Sequence, residues 1–361
     1  MKKFYFFLIA AAFTVKAFAQ PATIPVVFHV VYKIAAQNIP DSCLQQQLDV
    51  LNEDFNANNS DLWKVPPAWT SIIGSMNVNF VLASTDPNGN PTTGIERFQT
   101  FVTSFTTNNA VCYSAQGGMD AWPDTSYLNI WVCNLGNGLL GYAQFPGGPA
   151  ATDGVVLHYR NTGRGSYCMS PYDLGRAGTH EVAHWFGLKN FAPQSNCSTN
   201  GDGIADTPTY TDNMIFGGYA PFTVITDSCN VSSPGIMWMN FMTFVDDSSM
   251  YFFTQDQTDT MTWVMNNLRT GVISTGIKNY ADADQLQIFP SPSADGIFTL
   301  TSASPGKAEI IVYSISGEIV SQVSMNEKTT KLNLSSLPDG YYTAVILQDG
   351  KRNVKKIVIA R

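Results

Sequence analysis

His180-Glu181-Val182-Ala183-His184-Trp185-Phe186-Gly187-Leu188-Lys189-Asn190 is the stretch on which the reading of this 361-residue chain turns. Residues four apart on a helix share a face, so the imidazoles of His180 and His184 can converge on one zinc ion. Glu181 is placed to act as general base on a water activated by that metal. The chain has only four histidines, so two at this spacing around a glutamate argue against a pair of idle surface residues. The segment falls one residue short of the longer H-E-x-x-H-x-x-G-x-x-H pattern. Gly187 would let the helix stop and the chain turn back toward the metal, and the returning residue is Asn190 where that pattern has histidine.

The surrounding pattern places this helix in a mixed α/β domain. Ile24–Tyr32, Met76–Ala83, Leu128–Cys133 and Gly154–Tyr159 are β-branched or alternating and read as strands. Asp41–Asn56 carries Leu44, Leu48, Leu51 and Phe55 at helical spacing, with Asp41 or Ser42 as its cap. The second helix is expected from about Leu174 to Leu188. Beyond residue 275 the character changes to short alternating runs with turns at Ser316-Gly317, Pro338-Asp339-Gly340 and Asp349-Gly350, the pattern of a small β-sandwich. The expected organisation is a signal peptide at 1–19, an α/β domain at 20–275, a linker at 276–285 and the sandwich at 286–361.

Lys2 and Lys3, the apolar run Phe4–Val15 and Ala17-Phe18-Ala19 before Gln20 make the signal peptide. That run is too short to cross a bilayer, which takes roughly 20 apolar residues, and no other stretch is a candidate transmembrane segment. A mature start at Gln20 lies too near the first strand for a long inhibitory prosegment. Export permits disulfides among Cys43, Cys112, Cys133, Cys168, Cys197 and Cys229. Spacing alone does not choose their pairing, and the lack of a C-x-x-C pair argues against a cysteine zinc knuckle.

The net charge is −8, and residues 21–279 hold 9 Lys and Arg against 20 Asp and Glu. No basic cluster of useful size exists, which excludes a nucleic-acid partner. Lys351, Arg352, Lys355 and Lys356 read as a solvated strand face. An acidic Gly/Asn/Asp-rich middle is compatible with calcium.

Taken together, IPVVFHVVY (24–32), QLDVLNEDF (47–55), YLNIWVCN (127–134), LLGYAQFP (139–146), GVVLHY (154–159), LGRAGTHEVAHWFGL (174–188), DGIADTP (202–208) and MNFMTF (239–244) resemble the pappalysins, the pregnancy-associated plasma protein-A group of metzincin peptidases. The resemblance spans roughly residues 23–270. It implies a five-stranded sheet and two helices above a cleft, with a Met-turn beneath the metal. It implies His180 and His184 as zinc ligands, Glu181 as general base and Met242 as the Met-turn floor. Asp202, the Ile204 carbonyl and Thr207 match a calcium loop, whose hard oxygens suit that ion. Cys197 and Cys229 match a disulfide. A second disulfide is lost: Ser248-Ser249 stand where the family commonly has a cysteine, and residues 210–222 contain none.

Two departures fall on the metal site. Asn190 offers a neutral amide oxygen, a poorer zinc donor than imidazole. Phe244 stands where the family usually has a tyrosine that hydrogen-bonds the oxyanion; losing one such donor costs about 100- to 1000-fold in turnover. His29 and His158 fall in strands and read as packed imidazoles.

Ile288-Phe289-Pro290-Ser291-Pro292, Gly296-Ile297-Phe298, Ser316-Gly317-Glu318, Leu337-Pro338-Asp339-Gly340-Tyr341-Tyr342 and Lys355-Lys356-Ile357-Val358 resemble the sorting domain of the type IX secretion system. That implies that secretion machinery as a partner, and passage through the outer membrane of a Bacteroidetes-type bacterium. Two functions then stand side by side. One is a secreted zinc endopeptidase that takes extended polypeptide along an edge strand near Leu139–Phe145. The other is a catalytically inactive relative that holds polypeptide in the same cleft. Retention of Glu181 favours the first; Asn190 and Phe244 favour the second.

Overall fold

The eleven residues of β1 (Ala22–Tyr32) are almost all apolar because both faces of the strand are covered. Ile24, Val26, Phe28 and Val30 face the main core, while Val27 and Val31 enter separate clusters on the opposite side. A computed structural model describes residues 21–198, 201–211, 214–273, 286–302, 308–314, 319–348 and 351–361. The expected signal peptide, the linker and the turns at Ser316-Gly317 and Asp349-Gly350 lie outside the described residues.

β1 is the axis of the larger sheet. It pairs in parallel with β2 (Val78–Leu82) along its first half and with β3 (Ile95–Gln99) along its second. On its other side runs β4 (Leu128–Cys133), followed by the edge strand β5 (Gly141–Ala143) and by β6 (Val155–His158), in the spatial order β2-β1-β4-β6-β5. Only β5 is antiparallel to its neighbour. The sheet therefore has six strands where five are expected. The reason is that β1 is long enough for two short strands to share one of its edges.

α1 (Asp41–Asp54) buries Leu44, Leu48, Leu51 and, just past its end, Phe55 in the main core. Its cap differs from expectation: Pro40 is the N-cap and Asp41 is the first helical residue. Asp41 pairs with Arg97 of β3 and sits in the first turn, where the helix dipole favours an anion. α2 (Arg176–Trp185) packs on β5 and β6. A two-stranded ladder, β7 (Phe216–Gly217) with β8 (Phe244–Val245), follows. α3 (Gln255–Asn267) closes the unit. Neither β3 nor α3 is expected from the apolar pattern. The mark of α3 in the sequence is its capping box, Thr254 with Gln257.

The contacts divide the chain into two units, one on either side of Gly276. The second unit contains β9 (Leu286–Phe289), β10 (Ile297–Ser302), β11 (Ala308–Tyr313), β12 (Ile319–Met325), β13 (Thr329–Asn333), β14 (Gly340–Gln348) and β15 (Lys351–Ile359). They form a three-stranded sheet, β13-β10-β9, and a four-stranded sheet, β12-β11-β14-β15. Phe298, Leu300 and Leu332 from the first share a core with Ile310, Val312, Ile346 and Ile357 from the second. β12 escapes the sequence reading because it is an edge strand on which only Met325 is fully buried. Among the described residues no helix is long and apolar enough to cross a membrane.

Candidate active site

Both ends of α2 are set by glycine, which trims the helix inside the expected 174–188 span. Gly175 at the N-cap has φ +79°, and Gly187 past the C-terminus has φ +93°. The N–H of Gly187 donates to His184 O at 2.8 Å and that of Leu188 to Ala183 O at 3.0 Å, the two bonds of a Schellman ending. Gly178 is needed for packing: a Cβ there would lie 2.3 Å from the side chain of Gln47 on α1. Gln47 in turn donates to Gly175 O at 3.0 Å and accepts from the Gly163 N–H at 2.9 Å.

The rings of His180 and His184 meet edge-on with centroids 4.6 Å apart. Nδ1 of His180 donates to Phe241 O at 2.7 Å, and Nδ1 of His184 donates to Leu188 O at 2.6 Å. A carbonyl can only accept, so each ring carries its proton on Nδ1 and keeps the Nε2 lone pair for a ligand. Burial pushes His180 down to about 4, aided by its neighbour His184, and burial also lowers His184. Both are neutral near pH 7, the form that binds metal. Burial pushes the Glu181 carboxyl up to about 8. The edge strand lies directly on Glu181: a Cβ on Gly141 would fall 2.7 Å from its Cγ.

Asn190 comes back to the two rings as the glycine turn predicts. Its amide faces both imidazoles and partly offsets the lowering of their pKa values. Its Oδ1 is nevertheless buried without a hydrogen-bond partner. A buried carbonyl oxygen is rarely left so, and one beside two imidazoles with free Nε2 lone pairs is suited to share a cation with them. The residues present thus fit zinc. Among the described residues no group of three or more His, Cys, Asp or Glu side chains forms a metal cluster.

Met242 is fully buried, and its turn grips both parts of the site. Phe241 O takes the His180 N–H, and Met242 O accepts from the N–H of Phe191, next to Asn190, at 2.9 Å. Phe244 lies with its ring 5.8 Å from that of His180 and offers no hydroxyl. The calcium-type loop is self-capped: the Thr207 hydroxyl lies 2.8 Å from Asp202 Oδ2 and 3.0 Å from Ile204 O, and Asp202 Oδ1 accepts from the Ile204 N–H. Cys197 and Cys229 are bonded to each other, and Cys43, Cys112, Cys133 and Cys168 are free thiols. Where the second disulfide is absent, the Ser249 hydroxyl accepts from the Tyr219 N–H at 2.9 Å. His29 is buried between Glu96 and Asn129, and His158 Nδ1 accepts from the Arg160 N–H, so neither reaches the α2 imidazoles as a partner.

Three features of the site are not expected from the sequence. Arg176, the first residue of α2, lies 3.0 Å from Asp54 and 3.0 Å from Asp61, and the Thr179 hydroxyl donates to Asp54 at 2.6 Å. At the other end of α2, Asp153 accepts from Trp185 Nε1 at 2.7 Å and from Arg269 at 2.8 and 3.0 Å, while Arg269 stacks on the Trp185 ring. Phe145, 44% exposed, places its ring 5.3 Å from that of His184. The first two join residues 32 to 125 positions apart, which no sequence window displays.

Residues 112–266 match the pregnancy-associated plasma protein-A family, and residues 287–360 match the secretion system C-terminal sorting domain. An extracellular metalloprotease of Colletotrichum graminicola is 30% identical over 263 residues, covering 70% of this chain and 79% of that protein. One of Verticillium alfalfae is 30% identical over 260 residues, covering 69% and 79%. Mature mirolysin of Tannerella forsythia, solved with a cleaved peptide, has a TM-score of 0.67 and 42% identity over 70% of this chain and 96% of its own. Mirolysin bound to a compound gives 0.66 and 43% over 71% and 97%. Fold and likeness together define a metzincin metallopeptidase, a class that implies zinc. The chain belongs to the pregnancy-associated plasma protein-A family, and its sorting domain implies export by the type IX secretion system.

Proposed function

We propose that this enzyme is an active endopeptidase in which His180, His184 and Asn190 hold zinc and Glu181 moves the proton. The observation that carries the reading is the buried, unpartnered Asn190 Oδ1 facing two imidazoles whose Nδ1 protons are already committed. When bound, zinc supplies a Lewis acid that makes water nucleophilic near neutral pH. Glu181 accepts a proton from the attacking water and passes it to the leaving amine. A neighbouring divalent charge favours its carboxylate form, opposing the effect of burial. The open edge of β5 would pair with extended polypeptide, and Gly141 lets that edge lie against Glu181. Phe244 leaves the oxyanion without the family's tyrosine hydroxyl, so turnover is expected to be slow.

Support for activity comes from the intact base and from mirolysin, which was solved with a cleaved peptide. The Asp202 loop gathers Asp202 Oδ2 and Ile204 O around one hydroxyl, and we place a calcium ion there; chelation should lower the melting temperature, and Asp202→Ala should abolish that shift. Residues 1–19 would be removed on export and the domain from 286 onward would address the secretion machinery. The decisive test is cleavage of denatured protein by the purified chain. Activity should vanish with Glu181→Ala and with chelator while the variant still retains zinc. A zinc-loaded wild type that cleaves nothing would sink the reading in favour of a polypeptide-binding relative.

A further inference from the structure

Helix α2 begins without a side-chain cap of its own. Gly175 has nothing to offer, and the first N–H groups of a helix lack intrahelical acceptors. The cap comes from the far side of the site. Asp247, just beyond β8, accepts from the N–H of Leu174 at 2.9 Å and of Arg176 at 3.2 Å, both through Oδ2. Its own N–H donates to Pro171 O at 3.2 Å. Asp247 is 1% exposed, so no water competes for these bonds, and a carboxylate at a helix N-terminus is favoured by the dipole.

The second joint lies one turn along. Phe241, on the same limb as Asp247, accepts from His180, which stands one turn past Arg176. The Arg176 guanidinium adds a third tie by donating to Met250 O at 3.2 Å. The limb from Phe241 to Met250 and the first half of α2 are therefore clamped at three points. Sliding the helix along its axis would break the His180–Phe241 bond and rotate the His180 Nε2 away from that of His184.

We propose that Asp247 is a positioning residue of the metal site: by capping α2 from the Met-turn limb it seats the helix so that the two imidazoles and Asn190 converge. This rests on the reading of those residues as ligands, and it asks for more than a stable helix, because the cap belongs to the limb that also holds the His180 ring.

The test uses the full chain with Asp247→Ala and Asp247→Asn, reading zinc affinity by competition with a chromophoric chelator, the visible spectrum of the cobalt(II)-loaded protein, and kcat and KM. The alanine variant should lose about 10- to 100-fold in zinc affinity, the range for an outer partner of a ligand. Its cobalt spectrum should change, and kcat should fall with KM nearly constant. Asparagine keeps an oxygen for both N–H groups and loses only the charge, so it should restore the spectrum and bind zinc about two- to fivefold more weakly than wild type. A folded alanine variant with wild-type zinc affinity and spectrum overturns the proposal. If the alanine variant does not fold, asparagine decides: unchanged zinc affinity overturns it. A wild-type chain that binds no zinc refutes the ligand reading instead, so the two failures are distinguishable.

Discussion

Replacing Asn190 by histidine tests the metal site most directly. The backbone there is held on both sides: Leu188 O accepts from His184, and the Phe191 N–H donates to Met242 O. The Asn190 side chain already faces the two rings, and a substitute at 190 starts from the same backbone. The present occupant contributes one buried oxygen with no other partner. An imidazole in its place exchanges a weak neutral donor for a nitrogen that zinc prefers. Changing even an outer partner moves zinc affinity about 10–100-fold, so a ligand exchange should tighten binding by at least about 1.4 kcal/mol, one decade. Asn190→Ala should move it the other way. The assay is chelator competition on the purified chain, with the melting temperature of each variant recorded beside it. A folded Asn190→His variant with wild-type affinity would mean that the third position is filled by another group, and the reasoning from the orphaned oxygen would fail.

Phe244→Tyr should raise kcat by about tenfold or more, since an oxyanion donor is worth about 100- to 1000-fold where geometry is ideal; unchanged turnover in a folded, zinc-loaded variant would show that the ring does not reach the reacting carbonyl. Asp153→Ala strands the Arg269 guanidinium, and both side chains are 5% exposed; breaking such a buried pair costs about 3–5 kcal/mol, to be read from denaturant melts, and a loss under about 1 kcal/mol would refute a buried pair. Burial pushes Asp54 up to about 7 despite Arg176, so the folded state holds this proton more tightly than the unfolded chain. That contribution is complete below the ordinary carboxylate pKa and is lost as pH rises through the folded value. Asp54→Asn should therefore gain stability relative to wild type between about pH 4 and pH 7, the span from the ordinary to the folded value, and a difference that does not vary with pH in paired melts under chelator would contradict it.

Much of the architecture is legible without coordinates because local periodicity carries it. The run at Leu128–Cys133 coincides with β4 to the residue. Elements are missed where burial is one-sided or slight. β12 lies at an edge, and α3 buries only Met261, Val264 and Met265 among its apolar side chains while its polar residues mask the stripe. The sixth strand is invisible for another reason: nothing in β1 itself says that two partners divide one of its edges.

The sequence by itself determined the imidazole pair, its glutamate, the glycine that ends the helix and the asparagine that returns, since all lie within eleven consecutive residues and obey helical geometry. Only the tertiary structure decided which ring nitrogens are free, that the Asn190 oxygen has no other partner, and that Asp247 caps the helix from beyond the Met-turn. Those facts depend on hydrogen bonds between groups as much as 73 residues apart. Such bonds leave no periodic trace, because what places their partners side by side is the packing of the whole core.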